Sequence, residues 1–423
     1  MYKNVVGVPS IEMIDDVACI EEGGVRSIQA NSNINCKIEM KKLPLNKKKC
    51  KKIHMGKKNM LCPELKVHNE PIDNALKEKY LGDQVAGDCS NRDNIEMRKS
   101  KGLGIVSQIL TILDTVCLGG YYFESALQLR NSVLVNGILY NSEVWYDLKE
   151  TEIRNIEQID ETLLRKLLSA HSKTPLEALY LELGCLPLRF IIKARRINYL
   201  HYLVNLKDDE LLAKFFDAQL KFPVKGDWIS TVKDDLNDLD MDIDVNKLKH
   251  ISKEAFKKEV QNKITKAAFK YLMDKAKSHS KMMSLKYEEL TLQNYLKSRT
   301  ISKFEAQKLF RFRTYMEDFR ENFKNGNENV FFCPLCLNTD QFESQNHFLD
   351  CSVINFEIPL CLNIDQLDSQ NHFLDCSVIN FEIPETKKKN INDIFSEDEK
   401  RNKNIVQILI KAWKKRQELL LKI

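Results

Sequence analysis

Apolar residues change their spacing along this chain, and the change divides it. Up to about residue 90 they come in short runs, Val5 to Val8, Met13 to Ile20 and Leu43 to Met55, with a polar helix-like stretch after Gly24. Runs of that length between turn residues predict strands, and so a small α/β piece. From Ile95 the interval becomes three and four. Ile105, Val106, Ile109, Leu110, Leu113 and Val116 form one stripe and Ile153, Ile156, Ile159, Leu163, Leu164 and Leu167 another, each predicting a helix with one face in a core. Thr174, Pro175 and Glu177 read as a helix start in which Thr caps, Pro occupies the first turn and Glu completes a capping box. Helical, charge-rich sequence continues to about Phe323, interrupted by the acidic stretch Asp234 to Asp244, which reads as a solvated loop. Asn325, Gly326 and Asn327 mark a linker. Ser396 with Glu399 caps a last amphipathic helix carrying Ile405, Ile408, Leu409, Trp413 and Leu420, which should pack on the rest.

Composition fits a mainly α protein, because 14 Gly and 10 Pro in 423 residues leave little material for tight turns. The length predicts two or three domains. A net charge of +5 is small for this size, so nucleic-acid binding would have to rest on a local cluster. One such cluster exists: nine lysines and no acid between Lys41 and Lys58, interleaved with Leu43, Leu45, Ile53 and Met55. A half-buried basic ribbon of this kind suits a phosphate backbone, each lysine releasing a counterion; a solvated strand edge has the same composition. Twelve cysteines without an apolar signal core after Met1 predict a reducing intracellular compartment, cytoplasmic or nuclear, not a secreted protein. No apolar stretch approaches the roughly 20 residues of a membrane helix, so no membrane association is expected.

The most specific motif lies near the C-terminus. Cys333 and Cys336 are separated by two residues, ten residues follow, and His347 and Cys351 then stand four apart. These are soft ligands at the intervals of a tetrahedral zinc site: both knuckle thiolates can face one ion, and His347 and Cys351 share a helix face. Four protein ligands make the site structural, with no position open for a catalytic water. Pro334 to Ile358 then recurs nearly verbatim as Pro359 to Ile383, so that Cys336, His347 and Cys351 reappear as Cys361, His372 and Cys376. The second copy has Ile358 where its first cysteine should stand, which leaves three ligands. It is either an incomplete spare or an alternative in which His372 and Cys376 replace His347 and Cys351 on the same knuckle.

Toward the N-terminus, Met13, Ile14, Asp15, Asp16 and Val17 set two adjacent carboxylates between apolar residues, as in a strand that turns sharply at the acids. Most such pairs are plain turn residues. Where two magnesium ions must be held, however, carboxylates on neighbouring strands supply the hard oxygen ligands.

Taken together these residues resemble the reverse transcriptases of non-LTR (LINE-like, jockey-like) retrotransposons, from the last palm motifs through the thumb to the terminal zinc segment. Met13 to Asp16 looks like the Asp-Asp box of the palm, Asn46 with Lys49 like the Asn-x-x-Lys element after it, and Tyr80, Leu81 and Gly82 like the Tyr-Leu-Gly strand near the primer grip. Arg98 to Gly102, Leu129 to Trp145 and Tyr180 to Arg196 are similar to the helical thumb and connector, and Cys333, Cys336, His347 and Cys351 match the family's Cys-Cys-His-Cys site. The resemblance implies that Asp15 and Asp16 are the catalytic pair for Mg²⁺ and that Lys49 lies near the incoming nucleotide. Lys47, Lys48, Lys51, Lys52, Tyr80 and Gly82 would then touch RNA and DNA, and the Cys/His segment would hold structural zinc.

The corresponding organisation is a truncated palm remnant over 1–90, a helical thumb over 91–172, a helical connector over 173–325, a C-terminal zinc-binding segment over 326–384 and a final helix over 385–423. Only twelve residues precede Met13, so the first catalytic aspartate, the fingers and an endonuclease are expected to be missing. Glu12 cannot replace that aspartate, since strand neighbours point to opposite faces. The expectation is a polymerase portion inactive alone, with the missing N-terminal half as a possible partner. The alternatives are a non-enzymatic, zinc-containing nucleic-acid-binding module and a helical protein-interaction scaffold.

Overall fold

A computed structural model describes residues 2–5, 8–13, 16–19, 50–55, 66–67, 70–116, 119–241, 245–282 and 285–317, together with scattered positions of a helix between 403 and 418. Most of these residues are helical, and the strands are confined to the N-terminal part. Two compact units are present. The first comprises Met1–Lys101, Leu139–Ile156 and Arg195–Lys253; the second comprises Gly102–Ile138, Glu157–Ala194 and Glu254–Ile423.

The strands of the first unit form small separate sheets. β1 (Tyr2–Val5), β2 (Val8–Met13) and β3 (Asp16–Cys19) pair antiparallel in that order. β4 (Lys51–Ile53) runs parallel to β7 (Asp73–Ala75), β5 (Lys66–Val67) pairs with β6 (Glu70–Pro71), and β8 (Lys77–Tyr80) pairs antiparallel with β9 (Asp83–Ala86). The helices include α1 (Arg92–Thr115), α2 (Tyr122–Leu129), α3 (Glu150–Leu168), α4 (Leu176–Leu183), α5 (Leu188–Val204), α6 (Leu211–Lys221), α7 (Trp228–Asp238), α8 (Lys253–Ala276), α9 (Asn294–Lys297) and α10 (Lys303–Arg313), with short helical turns at Asn136–Ile138 and Val245–Leu248.

The two expected stripes are largely core. Val106, Ile109 and Leu113 of α1 are buried, and Ile156, Ile159, Leu163, Leu164 and Leu167 of α3 have no exposed surface. Val116 lies beyond the end of α1 and is half exposed. In the second unit α8 inserts Phe256, Val260, Ile264, Ala268 and Leu272, one residue per turn along a single ridge. A π-helical stretch, Arg130–Val135, continues α2. It places Arg130 where its guanidinium grips both oxygens of Asp160, at 2.7 and 2.6 Å, and donates to the carbonyl of Leu186. Tyr180 of α4 donates its hydroxyl to the same carboxylate at 3.1 Å.

Two expectations are corrected. The acidic stretch from Asp234 is not all solvated loop: its described part begins within α7, where Asp235 is buried and accepts from Arg196 through paired bonds of 2.7 and 3.0 Å, while Asp234, Asp238 and Asp240 are exposed. Its partner lies 39 residues away in sequence, so the run of acids alone gave no sign of burial. The start of α4 was placed correctly, but Thr174 does not cap it. The helix opens at Leu176 after Pro175, and the Thr174 hydroxyl is buried without a partner. Glu177 lies 3.5 Å from the His279 ring instead of completing a capping box. The capping box among the described residues belongs to α10, where Ser302 and Glu305 exchange bonds.

In the last helix, Val406 and Trp413 are buried, and the Trp413 ring stands edge-on to Phe312 with the Lys308 ammonium over its face. Ser396, Glu399, Ile405, Ile408, Leu409, Leu420 and the 325–327 linker lie outside the described residues. No helix among the described residues is long and apolar enough to cross a membrane.

Candidate nucleic-acid and metal-binding residues

Only two residues of sequence separate β2 from β3, and Met13 stands opposite Asp16 across the antiparallel pair. Asp16 therefore opens a paired strand. Asp15 lies outside the described residues. The next pair in register is Glu12 with Val17, so Glu12 occupies a position of opposite parity to Asp16.

Of the basic ribbon, Lys51 and Lys52 fall on β4, while Lys47, Lys48 and Lys49 lie outside the described residues. The Lys51 ammonium sits 3.0 Å from Asp73 on the neighbouring strand β7. This pair is exposed and contributes no more than about 1 kcal/mol.

Tyr80 and Gly82 bound the turn between β8 and β9. Tyr80 pairs with Asp83, which leaves Leu81 and Gly82 as a two-residue loop, and both have positive φ, 46° and 92°. This is the turn whose twist matches a right-handed hairpin. A leucine in that conformation costs about 1–2 kcal/mol, and a dense set of bonds holds it. Arg98 of α1 donates to the Gly82 carbonyl at 3.0 Å and forms an ion pair with Asp83. Asn94 reaches the same Asp83 carboxylate at 3.1 Å and Asn141 at 2.5 Å. The Tyr140 ring packs beneath: a Cβ on Gly82 would lie 3.4 Å from it, and the Arg98 guanidinium stands 5.5 Å from its centroid. The resemblance placed Tyr80, Leu81 and Gly82 on a strand; the strand ends at Tyr80, and Leu81 and Gly82 form the turn. Nothing local in the sequence ties Asp83 to Arg98 or Asn141, which lie 15 and 58 residues away.

The zinc candidates Cys333, Cys336, His347, Cys351, Cys361, His372 and Cys376 all lie outside the described residues. Among the described residues no group of three or more His, Cys, Asp or Glu side chains could hold a metal ion. Burial pushes the Cys185 thiol up to about 12. The buried carboxylate of Glu182 is also committed: Tyr287 and Tyr295 donate to it at 2.7 and 2.9 Å and Arg313 at 3.2 Å. That saturation assigns it to the core of the second unit.

The described residues thus define a mainly helical protein with small β-hairpins at its N-terminal end. No protein-family model, no curated protein and no solved structure matches this chain.

Proposed function

We propose that this chain is the C-terminal portion of a reverse transcriptase of the non-LTR retrotransposon type, an RNA-directed DNA polymerase, and that by itself it binds nucleic acid without polymerising. The observation that supports this reading most is the position of Asp16 at the start of a strand paired antiparallel with the strand ending at Met13. Asp15 is the neighbour of Asp16 in sequence, and paired carboxylates are the hard donors a metal-dependent polymerase needs. The clamped Tyr80–Gly82 turn adds support, because it follows the acids in the expected order and is held rigid enough to position a strand.

Asp15 and Asp16 would hold Mg²⁺, and their hard oxygen donors fit that ion. When bound, Mg²⁺ supplies activation of a primer hydroxyl and stabilisation of a departing pyrophosphate. Tyr80 and Gly82 would hold the primer strand in register, and the ribbon Lys47, Lys48, Lys49, Lys51 and Lys52 would neutralise phosphates. Glu12, out of phase with Asp16, does not complete the ligand set, which is why the chain alone is read as inactive. The segment from Cys333 to Cys376 would bind structural zinc, fixing the local fold.

Two experiments bear on this. Translating the genomic DNA upstream of the Met1 codon in all frames separates a clipped gene model, in which an aspartate-bearing strand precedes Met1, from a decayed element, in which none does. Purified chain should shift a primed RNA template in a salt-dependent way without adding nucleotides in Mg²⁺. Incorporation abolished by Asp15→Ala would overturn the inactivity.

A further inference from the structure

Charge disappears from one face of the second unit. From Gly102 to Leu113 α1 has no Asp, Glu, Lys or Arg, and Ser125 to Ile138 contains Arg130 alone, although 30% of the chain is charged. Arg130 is 1% exposed and bound to Asp160, so it adds no charge to the surface. The two segments adjoin: a Cβ on Gly102 would lie 2.9 Å from Ile138, and one on Gly137 2.8 Å from Ile105. Ile112 follows Ile105 by close to two turns on the same side of α1, and Val133 precedes Gly137 by about one turn. Ile112 and Val133 therefore border one seam. Together with Leu103 and Val116, each is 44–50% exposed among the described residues.

Polar side chains on this face are turned onto their own helices. Thr111 and Thr115 donate their hydroxyls to the carbonyls of Ser107 and Thr111 at 3.0 and 2.7 Å. Ser132 and Asn136 donate to the carbonyls of Gln128 and Ser132 at 2.7 and 3.2 Å. Each bond commits a donor to the helix backbone and leaves hydrocarbon facing outward. A Cβ on Gly104 would meet nothing within 4 Å, so the backbone is bare beside Leu103. Charge returns at the end of α1, where Asp114 pairs with Lys303 at 2.9 Å. An exposed helix side normally carries charge, and its depletion with apolar residues retained is the compositional mark of the centre of a protein interface.

We propose that the outer sides of α1 and of the Gln128–Asn136 stretch form a dimer interface with a second copy of this chain about a two-fold axis. In such a contact the same patch meets itself. A charged patch repels its own copy; this one holds no charge, and Gln108 and Gln128 present amides that both donate and accept. Nucleic acid does not fit as the occupant, because none of the exposed residues of these two segments is a cation to meet a phosphate. A charged protein surface would be desolvated here without a counter-charge. The inference rests on the second unit and not on the polymerase reading.

The test uses the full chain in reducing buffer, its mass followed by sedimentation equilibrium over a concentration series. Wild type should pass from the mass of one chain to that of two, with a dissociation constant insensitive to salt, since no ion pair is there to be screened. Ile112→Asp and Val133→Lys, one on each side of the seam, should each weaken the dimer about ten-fold or more, because each buries an unpaired charge. Lys266→Glu, on the exposed side of α8, should leave it unchanged. Ile112 and Val133 are half exposed in the single chain, so both variants should keep the wild-type circular dichroism. Should Ile112→Asp unfold, Gln108→Glu carries the same test from an exposed polar position.

The mass of one chain at every concentration overturns the proposal. So does a dimer that both Ile112→Asp and Val133→Lys leave intact, which would put the contact on another face. A dimer that dissolves as salt rises is held by ion pairs and equally overturns it.

Discussion

Asp83→Ala should release the Tyr80–Asp83 turn from α1. The Arg98 side chain is 2% exposed and that of Asp83 18%. Removing one member of a buried ion pair costs about 3–5 kcal/mol. Asp83 is partly wet and Arg98 keeps the Gly82 carbonyl, so the low end, about 3 kcal/mol, applies. Asn94 and Asn141 lose an acceptor as well, while Leu81 continues to carry the strain of its positive φ. The hairpin should therefore open locally before the first unit unfolds. Amide hydrogen exchange over Lys77–Ala86, followed by mass spectrometry, should accelerate about 100-fold, since each 1.4 kcal/mol is a factor of ten. Adding Arg98→Met should restore most of the protection, because the buried unpaired cation is then gone. Acceleration below about three-fold, or a double variant no better protected than the single, would refute the clamp. Affinity for primed template should fall with the protection if Tyr80 and Gly82 touch the strand.

Glu182→Gln keeps the side-chain volume but leaves the Arg313 charge in the core, so the urea midpoint of the second unit should fall by the equivalent of about 3–5 kcal/mol; an unmoved midpoint contradicts this. Burial holds the phenols of Tyr180, Tyr287 and Tyr295 well above the ordinary tyrosine range, with Asp160 adding to the first and Glu182 to the other two. For an acid raised in the folded state, stability is complete below the unfolded value of about 10 and declines as pH rises past it. Tyrosinate absorbance from these residues should therefore appear together with loss of circular dichroism above about pH 10, and ionisation with the helix signal intact would refute the assignment. At Asp227 partial burial opposes ionisation, but the N–H groups of Ser230 and Val224 outweigh it and hold the carboxyl below its usual range. Its contribution is present above the unfolded value of about 3.9 and is lost as pH falls through the folded one. Asp227→Ala should cost about 1 kcal/mol at neutral pH and much less in acid; equal cost in thermal melts at both would count against the cap.

Spacing along the chain carried the helices of α1 and α3 and the intervals of the cysteine segment. Each is a property of residues within a few positions of one another. Asp235 shows where such reading stops. Among its acidic neighbours it looks solvated, and only the approach of Arg196 from α5 makes burial favourable. Glu182 is a sharper case, since its cation Arg313 is 131 residues distant in sequence. The Thr174 misreading has the same origin in miniature, because the motif was present but the helix began one residue later than a cap requires.

Taken alone, then, the amino-acid order determined periodicity and the spacing of cysteines, histidines, acids and lysines, because those follow from positions a few residues apart. The tertiary structure decided which charges are desolvated and paired and which aromatic rings remain in water. Phe215 and Phe216 are chemically identical neighbours, yet one is exposed and the other is buried. Burial depends on what the rest of the chain brings against each face, and no short window of sequence contains that information.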